Sequence, residues 1–197
     1  LRGQVVCFGV TAMTGPQIRF GLEACRIVRR HSRAPIVWGG IHASILPEQT
    51  VAHPLVDYAV AGEGEIAFRD LVRALDGQGS PEEIRGVWTM REGAPSGKPG
   101  RVIDDLGMLP PLPYHLVDME RYVGHTRDGQ RRLGMKTSRG CPNRCYFCHQ
   151  TEKKDRRWRA MSADKILDEM AFLMDRHGIR CFQILDDSFF VDLERVD

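Results

Sequence analysis

Ser138-Arg139-Gly140-Cys141-Pro142-Asn143-Arg144-Cys145-Tyr146-Phe147-Cys148 places three thiols within eight residues. The chain of 197 residues has six cysteines, and the other three, Cys7, Cys25 and Cys181, sit in apolar patterns. Disulfide-stapled secreted scaffolds are short and evenly dense in cysteine, so this chain is not one. The C-x3-C-x2-C cluster therefore needs its own chemical explanation. Thiolates are the usual protein ligands of iron–sulfur clusters, and close spacing lets one loop supply several. Three cysteines on a four-iron cube leave one iron without a protein ligand. An open position on a metal centre is where a substrate or cofactor binds.

Three other readings stay open on spacing alone. Structural zinc would take His149 as its fourth ligand, but a Cys3His site usually draws on two separated knuckles and no second one exists here. A Cys-x2-Cys redox pair leaves Cys141 unexplained. Chance clustering of buried cysteines is the third.

The surroundings of the cluster read as one βαβ unit. Residues 133–137 form a candidate strand. Ser162 can cap a helix on which Ile166, Met170, Leu173 and Met174 share a face. Gly178 ends it, and residues 179–185 form the next strand. The order is strand, cysteine loop, helix, strand.

Upstream, strands and helices alternate again. Residues 5–10 have strand character, and Gly15-Pro16 opens a helix with Ile18, Leu22, Cys25 and Val28 on one face. Ile36-Val37-Trp38 is a strand ended by Gly39-Gly40, and residues 56–61 are another ended by Gly62-Glu63-Gly64. Phe68, Leu71, Val72 and Leu75 mark a helix that stops near Gly77. This alternation predicts a parallel α/β sheet, which binds ligands outside the carboxyl ends of its strands.

Residues 84–105 change character. Val87-Trp88-Thr89 and Arg101-Val102-Ile103 read as two strands joined by a long loop holding Gly93-Ala94-Pro95-Ser96-Gly97. Leu109-Pro110-Pro111-Leu112-Pro113-Tyr114 then reads as a stiff extended linker. The expected organisation is a first domain over residues 1–80, a hairpin and proline-rich linker over 81–130, and a second α/β domain from 131 to 197.

Composition bounds the rest. The chain is 42% hydrophobic and 27% charged, with a net charge of +2, an ordinary globular balance. Charge gives no support for nucleic-acid binding. No apolar run approaches the ~20 residues of a membrane span, and the amino terminus has no signal-peptide pattern. A cytoplasmic protein is expected. The chain starts on leucine and stops at Asp197 in no obvious element, so a fragment is expected.

The stretch from Ser138 to Cys148 resembles the signature loop of radical S-adenosylmethionine (SAM) enzymes. The resemblance implies that Cys141, Cys145 and Cys148 hold a 4Fe-4S cluster whose fourth iron is chelated by S-adenosylmethionine. It implies reductive cleavage to a 5′-deoxyadenosyl radical, with Phe147 near the adenine. The family often carries a Gly-Gly-Glu-like segment after the second strand; here Leu185-Asp186-Asp187 replaces it. Asp186 or Asp187 can still accept from the cofactor's ammonium group, or cap a helix from Phe189 onward. The basic residues Lys136, Arg139, Arg156, Arg157 and Arg159 read as a solvated stretch, with Arg159 a candidate for carboxylate binding.

A second resemblance covers residues 3–76. Pro35-Ile36-Val37-Trp38-Gly39-Gly40-Ile41-His42-Ala43-Ser44 and Asp57-Tyr58-Ala59-Val60-Ala61-Gly62-Glu63-Gly64-Glu65 resemble the cobalamin-binding domain fused ahead of many radical SAM enzymes. Glycines let backbone approach a flat corrin closely. The implied cofactor contacts are Thr11, Thr14, Gly39, Gly40, His42, Gly62, Glu63 and Gly64. His42 lies outside any Asp-x-His-x-x-Gly motif, so it is expected to line the pocket or cap the turn, with cobalamin bound free of a histidine ligand.

Together these predict an α/β chain: a Rossmann-like cobalamin-binding domain, its amino-terminal part missing, followed by the first βα units of a partial TIM-type radical SAM barrel. The implied activity is methylation of an unactivated carbon of a small-molecule substrate, with electrons from a donor such as flavodoxin or ferredoxin. A radical SAM oxidative cyclase of the same architecture is the alternative, and a non-enzymatic Cys3His zinc module is the alternative of another class. Only 57 residues run from Cys141 to the end, against ~250 for a full barrel. The isolated chain is expected to be inactive.

Overall fold

Ile36-Val37-Trp38 is apolar on both faces of its strand, and the structure covers both. The computed structural model describes residues 5–148 and 156–195. In it β2 (Ile36–Gly39) lies between β1 (Phe8–Thr11) and β3 (Tyr58–Val60). Both pairings are parallel. Ile36 and Trp38 pack with Cys25 and Val56, whereas Val37 packs with Val60, Leu71 and Val87. A parallel strand buried on both faces reads as a continuous apolar run rather than an alternation.

α1 (Pro16–His31) starts with proline in its first turn and ends on Arg29, Arg30 and His31, the charge sense that the helix dipole favours. It seats closely on β2. A Cβ at Gly21 would stand 3.0 Å from the Trp38 ring, and the Trp38 indole N–H donates to Cys25 Sγ at 3.4 Å. Short helices α2 (Ile41–Ile45) and α3 (Pro47–Val51) lead to β3, and α4 (Gly64–Leu75) follows it. The inner face of α4 is Ala67, Leu71 and Ala74. Phe68, expected on that face, is 39% exposed; small residues let α4 approach the sheet, and the Phe68 ring reaches its edge, where a Cβ at Gly9 would stand 3.7 Å from it.

The expected hairpin exists with a different register. β4 (Val87–Arg91) pairs antiparallel with β5 (Ala94–Gly97), across a turn at Glu92-Gly93. The residues read as a loop are the second strand, and Arg101-Val102-Ile103 is not a strand. Glycine at 97 explains the misreading: it faces Trp88 across the ladder, and a Cβ there would stand 2.4 Å from the indole. The missing side chain makes room for the ring. β4 also pairs antiparallel with β3, so the five strands form one sheet in the order β1-β2-β3-β4-β5. The chain divides into two units after this hairpin, Leu1–Val102 and Ile103–Asp197.

The second unit begins with an irregular segment of three 3-10 turns between Leu106 and Arg121. Lys165 donates to the carbonyls of Leu106, Gly107 and Leu109 and anchors this segment. β6 (Gly124–His125), β7 (Arg131–Met135), β8 (Ser138–Arg139), β9 (Arg159–Ala160), α5 (Ala163–His177) and β10 (Cys181–Ile184) follow. β10 runs parallel to β7, and β6 antiparallel. Thus β7, α5 and β10 form the expected βαβ unit. Ser162 caps α5, accepting from the Lys165 amide at 3.3 Å, and Gly178 ends it at φ 63°. Leu173 is fully buried with Leu133, Met119 and Ile179, while Met174, expected beside it, is 38% exposed.

Candidate functional site

In the first unit the glycine turns predicted from sequence meet at the carboxyl ends of β1, β2 and β3. Ala12, just past β1, donates to the Gly39 carbonyl at 3.2 Å and accepts the His42 amide at 3.1 Å. Gly40 has φ 88° and ψ −167°, a region essentially reserved for glycine. A Cβ there would stand 2.6 Å from Thr11 Oγ1. Thr11, Gly39, Gly40 and His42 are thus one tightly stitched corner.

His42 is buried, and its Nδ1 lies 3.2 Å from Thr14 Oγ1. Its imidazole is held within the turn by that contact. Gly62 has φ 89°, and a Cβ on it would meet nothing within 4 Å, so bare backbone faces open space. Glu63 is the amino-terminal cap position of α4 and Gly64 its first residue.

Ser44 was legible only as part of the quoted stretch, with no role assigned. Its hydroxyl donates to the Gly40 carbonyl at 2.8 Å and accepts the Gly62 amide at 3.0 Å. It therefore fixes the two glycine turns at one spacing. The exposed backbone at Gly40 and Gly62, flanked by Thr11 and Thr14, fits a flat ligand seated on the strand ends. A separate groove of about 610 Å3 runs along α4, between Asp70 and Arg73 on the helix and Ile84 and Arg101 opposite. Of the predicted contacts only Glu63 lines it.

In the second unit the cysteine loop leaves at β8 and returns at β9, which pair as Ser138↔Ala160 and Arg139↔Arg159. Gly140 has φ 88°, and a Cβ would stand 2.3 Å from the Arg157 carbonyl. Only glycine closes the loop there. Cys141, Cys145 and Cys148 lie on this one segment and none is in a disulfide, and the Cys148 amide donates to the Cys145 carbonyl at 3.0 Å. Among the described residues no three His, Cys, Asp or Glu side chains converge as a metal-holding group. The donor set itself, three thiols on one loop, fits a thiolate-ligated cluster. Tyr146 and Phe147 are 92% and 79% exposed and meet edge to face. His149 lies outside the described residues.

Asp186 and Asp187 take different places. Asp186 Oδ1 accepts the Thr137 and Ser138 amides at 2.6 and 3.1 Å, and Oδ2 accepts their hydroxyls, each at 2.6 Å. Burial works to raise its pKa, but these hydrogen bonds, led by the two hydroxyls, outweigh it and hold the carboxyl below its ordinary value. Asp187 Oδ1 lies 3.8 Å from Lys136 Nζ. No helix follows at Phe189 among the described residues, so neither aspartate caps one. Arg159, a candidate for carboxylate binding, donates to the carbonyls of Ile103 and Arg157. Arg157 pairs with Asp104 at 2.8 Å.

Thr137, Ser138, Trp158 and Arg195 carried no sequence assignment. For the first two no local pattern marks the partner: the parallel register Met135↔Ile184, set only by folding, puts Thr137 opposite Asp186 two residues on.

Comparison with known proteins covers both units. Residues 2–72 match the B12 binding domain family, and residues 135–197 match the radical SAM superfamily. An uncharacterized methyltransferase of Pyrococcus horikoshii is 33% identical over 162 residues, 81% of this chain and 35% of that protein. The anaerobic magnesium-protoporphyrin IX monomethyl ester cyclase of a Synechocystis species is 28% identical, over 78% of this chain and 30% of that protein. The chain thus spans about a third of the length of these relatives. The solved radical SAM methyltransferase TsrM of Kitasatospora setae shares the fold, with a TM-score of 0.78 at 23% identity over 98% of this chain and 39% of that one. Among the described residues no helix is long and apolar enough to cross a membrane. With a B12-binding domain ahead of the start of a radical SAM domain, the chain belongs to the cobalamin-binding radical S-adenosylmethionine family.

Proposed function

We propose that this chain is the cofactor-binding part of a cobalamin-dependent radical SAM enzyme that methylates an unactivated carbon of a small molecule. The observation that carries this reading is the order of the two units: a B12-binding domain over residues 2–72 precedes a C-x3-C-x2-C loop set in a βαβ unit. When bound, the cluster supplies the electron that cleaves S-adenosylmethionine to methionine and a 5′-deoxyadenosyl radical, and cobalamin carries the methyl group.

The chain's own residues divide the work. Cys141, Cys145 and Cys148 hold the cluster and leave one iron for the methionyl group. The exposed Phe147 ring offers a face to the adenine. Asp187 accepts from the cofactor's ammonium, because the acceptor positions of Asp186 are taken by Thr137 and Ser138. Thr11, Thr14, Gly39, Gly40, His42, Gly62, Glu63 and Gly64 form the cobalamin seat, with Ser44 setting its spacing. His42, engaged with Thr14, lines this seat and does not ligate cobalt. Electrons come from a reduced flavodoxin or ferredoxin, and the protein works in the cytoplasm.

Oxidative cyclisation is the second reading, favoured by the similarity to the Synechocystis cyclase. Anaerobic reconstitution of the full-length protein, followed by assay with reductant and S-adenosylmethionine, tests the proposal. The expected product is 5′-deoxyadenosine, formed by the wild type and lost in Cys145→Ala. Full cleavage by Cys145→Ala would contradict the cluster assignment. One equivalent of zinc with no iron would favour a binding module instead.

A further inference from the structure

The base of the cysteine loop is clamped from one side. Asp186 binds the amide and hydroxyl of both Thr137 and Ser138, where the outgoing strand β8 begins. Just before the returning strand β9, the Trp158 indole N–H donates to the Ser188 carbonyl at 2.8 Å. Arg195 joins the two. It donates to Thr137 through both the carbonyl and the hydroxyl, and its guanidinium lies 5.5 Å from the Trp158 ring and 5.3 Å from the Phe189 ring. The Thr137 hydroxyl accepts from Arg195 and donates to Asp186, so the three form a charge-assisted chain. The segment after β10 therefore grips the chain where it enters and leaves the loop, while Tyr146 and Phe147 are exposed.

A carboxylate has about four acceptor sites, and Asp186 uses all of them on the loop base. It has none to offer a cofactor ammonium. We infer that Asp186 is a positioning residue for the metal-binding loop: it fixes the backbone three residues before Cys141 and so sets where the thiols are presented. This rests on the reading of Cys141, Cys145 and Cys148 as cluster ligands. Asp186→Asn keeps the shape but turns one acceptor oxygen into an N–H2 donor facing donors. Ser138→Ala removes a single hydroxyl bond and leaves the carboxylate in place.

The test compares the full-length wild type, Asp186→Asn, Ser138→Ala and Asp187→Asn. Iron per chain and the electron paramagnetic resonance signal of the reduced cluster are read after anaerobic reconstitution, with and without S-adenosylmethionine. Hydrogen exchange of residues 137–140 is read in the metal-free proteins. Asp186→Asn is expected to speed that exchange roughly tenfold, as loss of one or two hydrogen bonds does, with α5 unchanged. It is also expected to retain several-fold less iron and broaden the signal. Ser138→Ala should fall between it and the wild type. Asp187→Asn should keep wild-type iron and exchange, and lose only the response to S-adenosylmethionine. Wild-type iron and wild-type exchange in Asp186→Asn would overturn the inference, as would a defect confined to the S-adenosylmethionine response. A wild type that binds zinc and no iron would overturn the cluster reading, and the exchange data would still judge the clamp.

Discussion

Asp186 accepts both the amide and the hydroxyl of Ser138, at 3.1 and 2.6 Å, from 48 residues away in the chain. Sequence distance hides the contact, and the parallel pairing of β7 and β10 creates it. It ties the end of one strand to the start of the cysteine loop.

This contact makes acid stability a readout. The folded pKa of Asp186 is depressed, so its carboxylate stabilises the fold above the ordinary aspartate value, ~3.9. That contribution disappears as pH falls from there through the lowered folded value. The wild-type melting temperature is expected to fall over this window. Asp186→Asn should melt lower near neutrality and show a flatter acid limb. Melting curves from about pH 7 to pH 2 check this; parallel curves for the two proteins would contradict it.

Gly40 and Gly62 separate packed from open backbone. Both have positive φ, but a Cβ at Gly40 collides with Thr11 Oγ1 whereas one at Gly62 meets open space. Gly40→Ala is expected to cost roughly 2–4 kcal/mol from strain plus overpacking. Gly62→Ala should cost about 1–2 kcal/mol. Denaturant unfolding measures both. Cobalamin titration of the full-length proteins should then show Gly62→Ala losing affinity out of proportion to its stability.

The hairpin gives a test of register. Gly97 faces Trp88 with room for no side chain. Gly97→Val is expected to destabilise the first unit by about 1–3 kcal/mol and to change the near-ultraviolet Trp signal. Were residues 93–97 a surface loop, the same change would be nearly neutral.

These cases show what the chain spells out and what it hides. Ile36-Val37-Trp38, the glycine strand ends, the Ser162 cap and Gly178 all act locally, so their roles follow from neighbours in sequence. Gly97 was misread because glycine and proline punctuate loops far more often than strands. Its reason for being glycine is Trp88, on the other strand. Phe68 shares the apolar spacing of Leu71, Val72 and Leu75, but Ala67 and Ala74 set the close approach of α4 and leave Phe68 39% exposed. In the site, Cys141, Cys145 and Cys148 stood out by spacing. Ser44, Thr137 and Arg195 act through partners that only folding brings near, and the pair Asp186-Asp187 could not be split until the register of β7 and β10 was known.

Three cysteines on a four-iron cluster would leave one iron open to S-adenosylmethionine. The most direct measurement is electron paramagnetic resonance of the reduced, reconstituted full-length protein before and after addition of S-adenosylmethionine. The expected result is a 4Fe-4S signal that shifts when S-adenosylmethionine binds and is lost in Cys141→Ala, Cys145→Ala and Cys148→Ala alike. A signal indifferent to S-adenosylmethionine, or one that survives removal of any of the three thiols, would contradict it.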